Sequence, residues 1–464
     1  YGAVPLILLS ADRPPELREC GANQTVDQVK LFGGHVRFAF DLGVAEDGSG
    51  ALAHVAMRAR QAADMSRWPL PGPVHLNLPL REPLVPTSNL DFDFASRDDG
   101  VAYPILMPPA ATVATLAEEL SGSPGLIVCG AKAFSPAFGA AVAALAERLE
   151  CPVLADPLSG LRFGGHERSR ISTRYDAYLR NRDFAEGHRP AWVLRFGAMP
   201  VSKTLQQYLA LPARHILVEA HGRRLDPLHR ADLLLHCDET ALCESLSGML
   251  LEPAPSGWLV DFLAAERSIG EIAVPLPVES AIVRAMIALL PPAATLFSGN
   301  SMAIRDIDGF SGSGAKPLRI VANRGASGID GNVSTALGMA AVKRGKVAAL
   351  LGDLTCCHDL GGLAAARGLD AVLVVLNNGG GGIFSYLPQA GLDSFERYWL
   401  TPAGLDFEQA AKLYGLRFER VETPQAFTDA FKQALERPGV SLIEVVVERT
   451  SSVASHQAYW AAVK

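Results

Sequence analysis

Residues 347–384 read VAALLGDLTCCHDLGGLAAARGLDAVLVVLNNGGGGIF. Two apolar runs, VAALLG and AVLVVLN, have the length and near-continuous hydrophobicity of strands buried on both faces of a parallel sheet. The first ends at Gly352-Asp353 and the second at Asn377-Asn378, followed by glycines 379–382. Between them lie a loop and room for one helix, the connection that parallel neighbours require. In open α/β sheets ligands bind beyond the carboxyl ends of the strands. The spacing therefore places a carboxylate and an amide side by side above a glycine-rich turn. Oxygen ligands of this kind suit magnesium, which completes its shell with phosphate and water. Glycine backbone can approach a diphosphate closely. A lone Gly-Asp or a lone Asn-Asn is most often an ordinary strand-end turn; their pairing at two strand ends argues for a ligand. The adjacent Cys356 and Cys357 read as small residues in the turn and helix start, since an ordinary disulfide between neighbours is strained.

The same α/β pattern extends outward along the chain. Residues 278–464 contain further strand candidates, ATLFSGN, LRIVANR, LRFERV and VSLIEVVVE, with helices DFEQAAKLYG and TPQAFTDAFKQALE between them. Residues 105–251 alternate GLIVCG, CPVLAD, AWVLRFG and HILVEA with helices such as AAVAALAERLE. Residues 1–86 hold VPLILLSADRP, a polar loop and GPVHLNLPL. A Pro- and Asp-rich linker follows near 81–104, and a second linker is expected over 250–277. The expected fold class is α/β, with three doubly wound parallel-sheet domains in series.

Composition narrows the function. The chain has 464 residues, 49% hydrophobic and 20% charged, with a net charge of −7. That balance fits large buried cores and argues against nucleic acid as a partner. No apolar run is long enough for a membrane span. The seven cysteines are scattered and lack a C-x-x-C, so a disulfide framework is not expected and a reducing compartment is. The cluster LLLHCDETALC lacks a second ligand pair at finger spacing and is set aside as a zinc site.

The Asp353/Asn378 pattern with GGGIF resembles the diphosphate-magnesium motif of thiamine-diphosphate enzymes. The resemblance covers nearly the whole chain. SADRPPELRECGANQTVDQ (10–28), GNSMAIRDID (299–308), NRGASGIDG (323–331) and GGIFSYLP (381–388) point to the branch of that family that serves menaquinone biosynthesis. The resemblance implies decarboxylation of 2-oxoglutarate and addition of the succinyl carbanion to isochorismate. It implies thiamine diphosphate with Mg2+ or Mn2+, and a homodimer or dimer of dimers. It also implies a cytoplasmic enzyme in a bacterium, or a plastid one in a photosynthetic eukaryote.

Site residues carry over by the same resemblance. Gly352, Asp353, Asn378 and Gly380 would hold metal and diphosphate, Asp353, Asn378 and the Gly380 carbonyl being the metal ligands; Asn377 is the alternative register. Ile329 and Ile383 would hold the cofactor bent, and Phe384 would pack beside the intermediate. Arg13, Asn23, Gln24, Lys203, Ser301, Arg305 and Arg324 would line the substrate pocket. Both substrates are carboxylic acids, and arginine grips a carboxylate at two points. Any one of these arginines alone would read as a surface charge, and the isoleucines as core. The four cations fall at expected strand ends within matching motifs.

The chain begins at Tyr1, inside the first strand. In the family a glutamate earlier in this domain activates the cofactor. The first domain is therefore expected to be incomplete, and the 464-residue chain alone poorly active. The four cations argue against a decarboxylase or synthase with a small neutral acceptor. A non-catalytic remnant is the reading from a different class.

Overall fold

The computed structural model describes residues 2–85, 101–342 and 344–463. The linker expected near 81–104 falls largely on 86–100, outside the described residues. Chain contacts divide the molecule into two compact units, Tyr1–Leu106 and Met107–Lys464.

The first unit carries β1 (Leu6–Asp12), β2 (Phe38–Asp41) and β3 (Pro73–Pro79) in the spatial order β1-β3-β2, all parallel. Its core centres on Val74 and Leu76 of the middle strand and Ala62 of the helix Ser49–Met65. The carboxyl ends of the three strands are tied by polar groups. Arg18 bridges Asp12 and Asp41 at 2.8 and 3.0 Å. Asn77 Nδ2 donates to the same two carboxylates. These bonds fix the origin of the loop that follows β1.

The second unit holds two six-stranded parallel sheets. One comprises β4 (Gly125–Cys129), β5 (Val153–Ala155), β6 (Ile171–Ser172), β7 (Trp192–Phe196), β8 (Arg214–Val218) and β9 (Leu233–Leu235), in the order β6-β5-β4-β7-β8-β9. The other comprises β10 (Thr295–Ser298), β11 (Arg319–Ala322), β12 (Val347–Gly352), β13 (Ala371–Asn377), β14 (Arg417–Val421) and β15 (Val440–Val446), in the order β11-β10-β12-β13-β15-β14. Val347–Leu351 and Ala371–Leu376 are buried throughout, because helices cover both faces. The chain steps outward from β10 to β11 and then returns to the other side of β10 with β12. Connections therefore diverge between β10 and β12, which opens a crevice at their carboxyl ends.

One expectation needs correction. Residues 250–277 are not simply a linker, since Trp258–Gly270 forms a helix. Trp258, Phe262 and Ile269 recur at helical spacing and are buried, and Phe262 packs against Tyr178 and Phe184. Within this unit the two sheets are joined through a fully buried arginine. Arg162 donates to the carbonyls of Ala155 and Asp308, to Ser311 Oγ and Tyr175 Oη, and pairs with the Asp308 carboxylate. Asp308 lies on the helix Met302–Phe310, so the arginine anchors that helix from the neighbouring sheet.

Candidate active site

Four strand ends of the third sheet converge on the crevice. Gly352-Asp353 closes β12 and opens the short helix Asp353–His358. The Asp353 carboxylate is 8% exposed and accepts from the backbone N–H groups of Leu354 at 2.8 Å and Gly380 at 2.6 Å. Burial raises its pKa to about 6, against the backbone donors, which lower it. A cation beside it would favour the charged form that burial disfavours.

The next strand end completes the set. Asn377 is committed elsewhere: its Nδ2 donates to Glu444 Oε1 at 2.6 Å, and its Oδ1 accepts from Gly379 N–H. Asn378 differs, because its Oδ1 is buried and has no partner among the described residues. An orphaned buried acceptor costs about 1–3 kcal/mol. A cation beside Asp353 and Asn378 would satisfy both groups, and the orphaned oxygen favours Asn378 over Asn377. Gly380 has φ +136°, and a Cβ there would lie 2.2 Å from the Leu400 carbonyl oxygen. Its N–H holds Asp353 and its carbonyl accepts from Gly382 N–H at 2.8 Å. The residues present therefore fit a divalent cation with a diphosphate: one carboxylate, one free amide oxygen and a turn that only glycine can form.

Ile383 and Phe384 follow in the turn Gly382–Tyr386, both half-buried. Phe384 packs edge-on against Trp399 at 5.3 Å. Ile329 is half-buried in the loop after β11.

Three of the residues expected to line the substrate pocket, Ser301, Arg305 and Arg324, follow the ends of β10 and β11. Ser301 has φ +65° and ψ −126°, a strained backbone for a residue with a side chain, at the junction of β10 and the helix Met302–Phe310. Arg305, one turn on, is exposed and donates to the Ser301 carbonyl. Arg324 is half-buried, and its Nη1 donates to Asn300 Oδ1 at 2.6 Å. Asn300 is 2% exposed, and its Nδ2 donates to the carbonyls of Asn323 and Gly328 at 2.9 and 2.7 Å. It clamps both limbs of the NRGASGIDG loop and aims Arg324. Sequence reasoning passed over Asn300, although its place inside GNSMAIRDID was a signal. Lys203 is exposed at the start of the helix Lys203–Leu209, beyond β7.

In the first unit, Arg13 and Gln24 are brought together: Arg13 Nη2 donates to Gln24 Oε1 at 3.1 Å. Asn23 is exposed next to them. All seven cysteines are free thiols; Cys356 is fully buried and Cys357 partly so.

Comparison with known proteins fits this geometry. Residues 312–445 match the family model "Thiamine pyrophosphate enzyme, C-terminal TPP binding domain", and 110–297 match "Middle domain of thiamine pyrophosphate". The solved structure of benzoylformate decarboxylase from Polynucleobacter necessarius is similar with a TM-score of 0.67 at 18% identity, over 96% of this chain and 82% of that one. The chain is thus a thiamine-diphosphate enzyme by fold and by domain. Among curated relatives, the 2-succinyl-5-enolpyruvyl-6-hydroxy-3-cyclohexene-1-carboxylate synthase of Dechloromonas aromatica (strain RCB) is 44% identical over 95% of this chain and 81% of the relative. The synthase of the same name from Geobacillus thermodenitrificans (strain NG80-2) is 42% identical over 99% of this chain and 81% of the relative. The chain belongs to this synthase family, whose members are transferases.

Proposed function

We propose that this chain decarboxylates 2-oxoglutarate and joins the remaining succinyl unit to isochorismate. The bond between the 2-oxoglutarate C1 carboxylate and its keto carbon breaks, carbon dioxide leaves, and a new carbon–carbon bond forms to the isochorismate ring. Thiamine diphosphate, when bound, supplies the electron sink for this exchange. The chain's own residues supply position, charge and exclusion of water.

The observation that carries the reading is the Asp353 carboxylate and the unpartnered Asn378 oxygen at adjacent strand ends. In a chain of this family these two groups, with the Gly380 carbonyl, would hold Mg2+ or Mn2+, and Gly352 and the 379–382 turn would leave room for the diphosphate. Ile329, Ile383 and Phe384 would pack against the cofactor rings. Both substrates bring carboxylates. Arg324, braced by Asn300, is the best preorganised cation for one of them, because its guanidinium is already fixed. Arg305 and Lys203 offer exposed cations, Ser301 a hydroxyl held by a strained backbone, and Arg13 with Asn23 and Gln24 a polar cluster. No helix among the described residues is long and apolar enough to cross a membrane. A cytoplasmic homodimer, or a dimer of dimers, accords with the family.

The test is product formation by the purified protein with thiamine diphosphate and Mg2+, comparing 2-oxoglutarate with pyruvate as donor and isochorismate as acceptor. Consumption of 2-oxoglutarate coupled to isochorismate is expected, at a low rate but faster than consumption of pyruvate. Preference for pyruvate would refute the donor assignment, and cofactor binding without turnover of either donor would refute catalysis.

A further inference from the structure

His456 lies on the C-terminal helix Arg449–Ala462, 2% exposed and outside every motif quoted above. Its imidazole faces two other elements and a carbonyl of its own helix. Nε2 lies 3.3 Å from Asp306 Oδ1, on the helix that begins beyond Ser301 and carries Arg305. Nδ1 lies 2.9 Å from the Ser452 carbonyl oxygen and 3.1 Å from Tyr386 Oη. A carbonyl only accepts, so Nδ1 bears a proton. The carboxylate of Asp306 then draws a second proton onto Nε2.

Tyr386 closes the turn Gly382–Tyr386, which carries Ile383 and Phe384. Its ring packs edge-on against His456 at 5.6 Å and Trp460 at 5.4 Å. The guanidinium of Arg180 caps Trp460, 4.4 Å from the ring centre. The side chain of Ser452 donates to Glu279, another buried carboxylate. Glu279 Oε2 and Asp306 Oδ2 are buried without partners among the described residues, so the surroundings are strongly acidic. The groups that set the charge of the imidazole are thus Asp306 and Glu279, with Tyr386 beside it and Arg305 acting on Asp306. Burial pushes the imidazole pKa down, but the hydrogen bond and charge of Asp306 outweigh it and raise it above the ordinary histidine value. Burial also raises Asp306 to about 6, against the opposing effect of His456. A charged pair therefore exists in a window above about 6 and below the raised histidine value.

We infer that His456 is a positioning residue: one imidazole braces the cofactor-side turn through Tyr386 and the substrate-side helix through Asp306. Ile383 and Phe384 on one side, and Ser301 and Arg305 on the other, are thereby held in a fixed relation. The inference rests on the functional reading of those four residues. Catalysis is sensitive to such placement, since a shift of about 1 Å can cost roughly 100-fold in rate.

Three variants of the full chain test it: His456→Ala, His456→Gln and Tyr386→Phe. Amide exchange is followed in 382–386 and 302–306, cofactor affinity by calorimetry with Mg2+, and kcat and KM for both substrates across pH. In His456→Ala, faster exchange is expected in both segments, cofactor affinity within about threefold of wild type, and kcat/KM lower by about 10- to 100-fold. Wild-type kcat/KM should fall as pH rises through the imidazole pKa, and His456→Gln should lose that alkaline limb. Tyr386→Phe should loosen the turn alone. Unchanged exchange, kcat/KM within about threefold of wild type, or an alkaline limb retained in His456→Gln would overturn the inference. If exchange responds as expected but wild type makes no product from 2-oxoglutarate and isochorismate, the functional reading fails and the mechanical link stands.

Discussion

Replacing Gly380 by alanine should cripple cofactor binding, whereas the same change at Gly379 should not. At Gly380 two costs add. The residue has φ +136°, which a residue with a side chain adopts only at about 1–3 kcal/mol. Its new Cβ would also sit 2.2 Å from the Leu400 carbonyl oxygen, where ordinary contact begins near 3.4 Å. The backbone must retreat by an ångström or more. That movement breaks the 2.6 Å bond from Gly380 N–H to Asp353, a bond to a charged acceptor worth about 1.5–3 kcal/mol. The sum is about 2.5–6 kcal/mol, or roughly two to four and a half decades in affinity if it falls on binding. Gly379 has φ +78° with nothing within 4 Å of the point a methyl group would occupy, so only a left-handed backbone cost of about 1–2 kcal/mol remains. Calorimetric titration of thiamine diphosphate in the presence of Mg2+ measures both. The expectation is a loss of about 100-fold or more for Gly380→Ala and about 5- to 30-fold for Gly379→Ala. Equal losses, or Gly380→Ala within about threefold of wild type, would refute the argument that this turn holds Asp353 in place.

Three further outcomes follow from the same geometry. Asp353→Asn should weaken Mg2+-dependent cofactor binding by about 100-fold or more, while Cys356→Ala and Cys357→Ala stay within about threefold; calorimetry ranks them. Asn300→Ala leaves two carbonyls without their donor and frees Arg324, so it should cost about 2–4 kcal/mol in urea denaturation and raise a substrate KM more than it lowers kcat. Native-state thiol labelling should modify exposed Cys20 first and half-buried Cys357 more slowly. Cys129, Cys151, Cys237, Cys243 and Cys356 are buried, and burial pushes each thiol pKa up, so they should react only on unfolding. Rapid labelling of Cys356 in the folded protein would contradict its placement behind β12.

The strands of both large sheets were legible because parallel strands buried on two faces are nearly continuous apolar runs, as in Val347–Leu351 and Ala371–Leu376. β6 and β9 escaped notice because two or three residues carry no period. The helix Trp258–Gly270 was hidden among flanking prolines and glycines that read as a linker. Strand ends are local, so Asp353, Asn378, Arg305 and Arg324 could be placed at the mouth of a sheet from their spacing, whereas Ser301 came from the resemblance. Sequence by itself determined the fold class and the chemical types at the crevice. Only tertiary structure decided which of two adjacent asparagines is free, since that depends on Glu444, which lies on β15 and takes up Asn377. It likewise decided that Asn300 braces Arg324 and that His456 meets both Asp306 and Tyr386. The physical reason is that hydrogen bonds select partners by distance and direction. Residues 150 positions apart, such as His456 and Asp306, become neighbours only when the sheets and helices between them have packed.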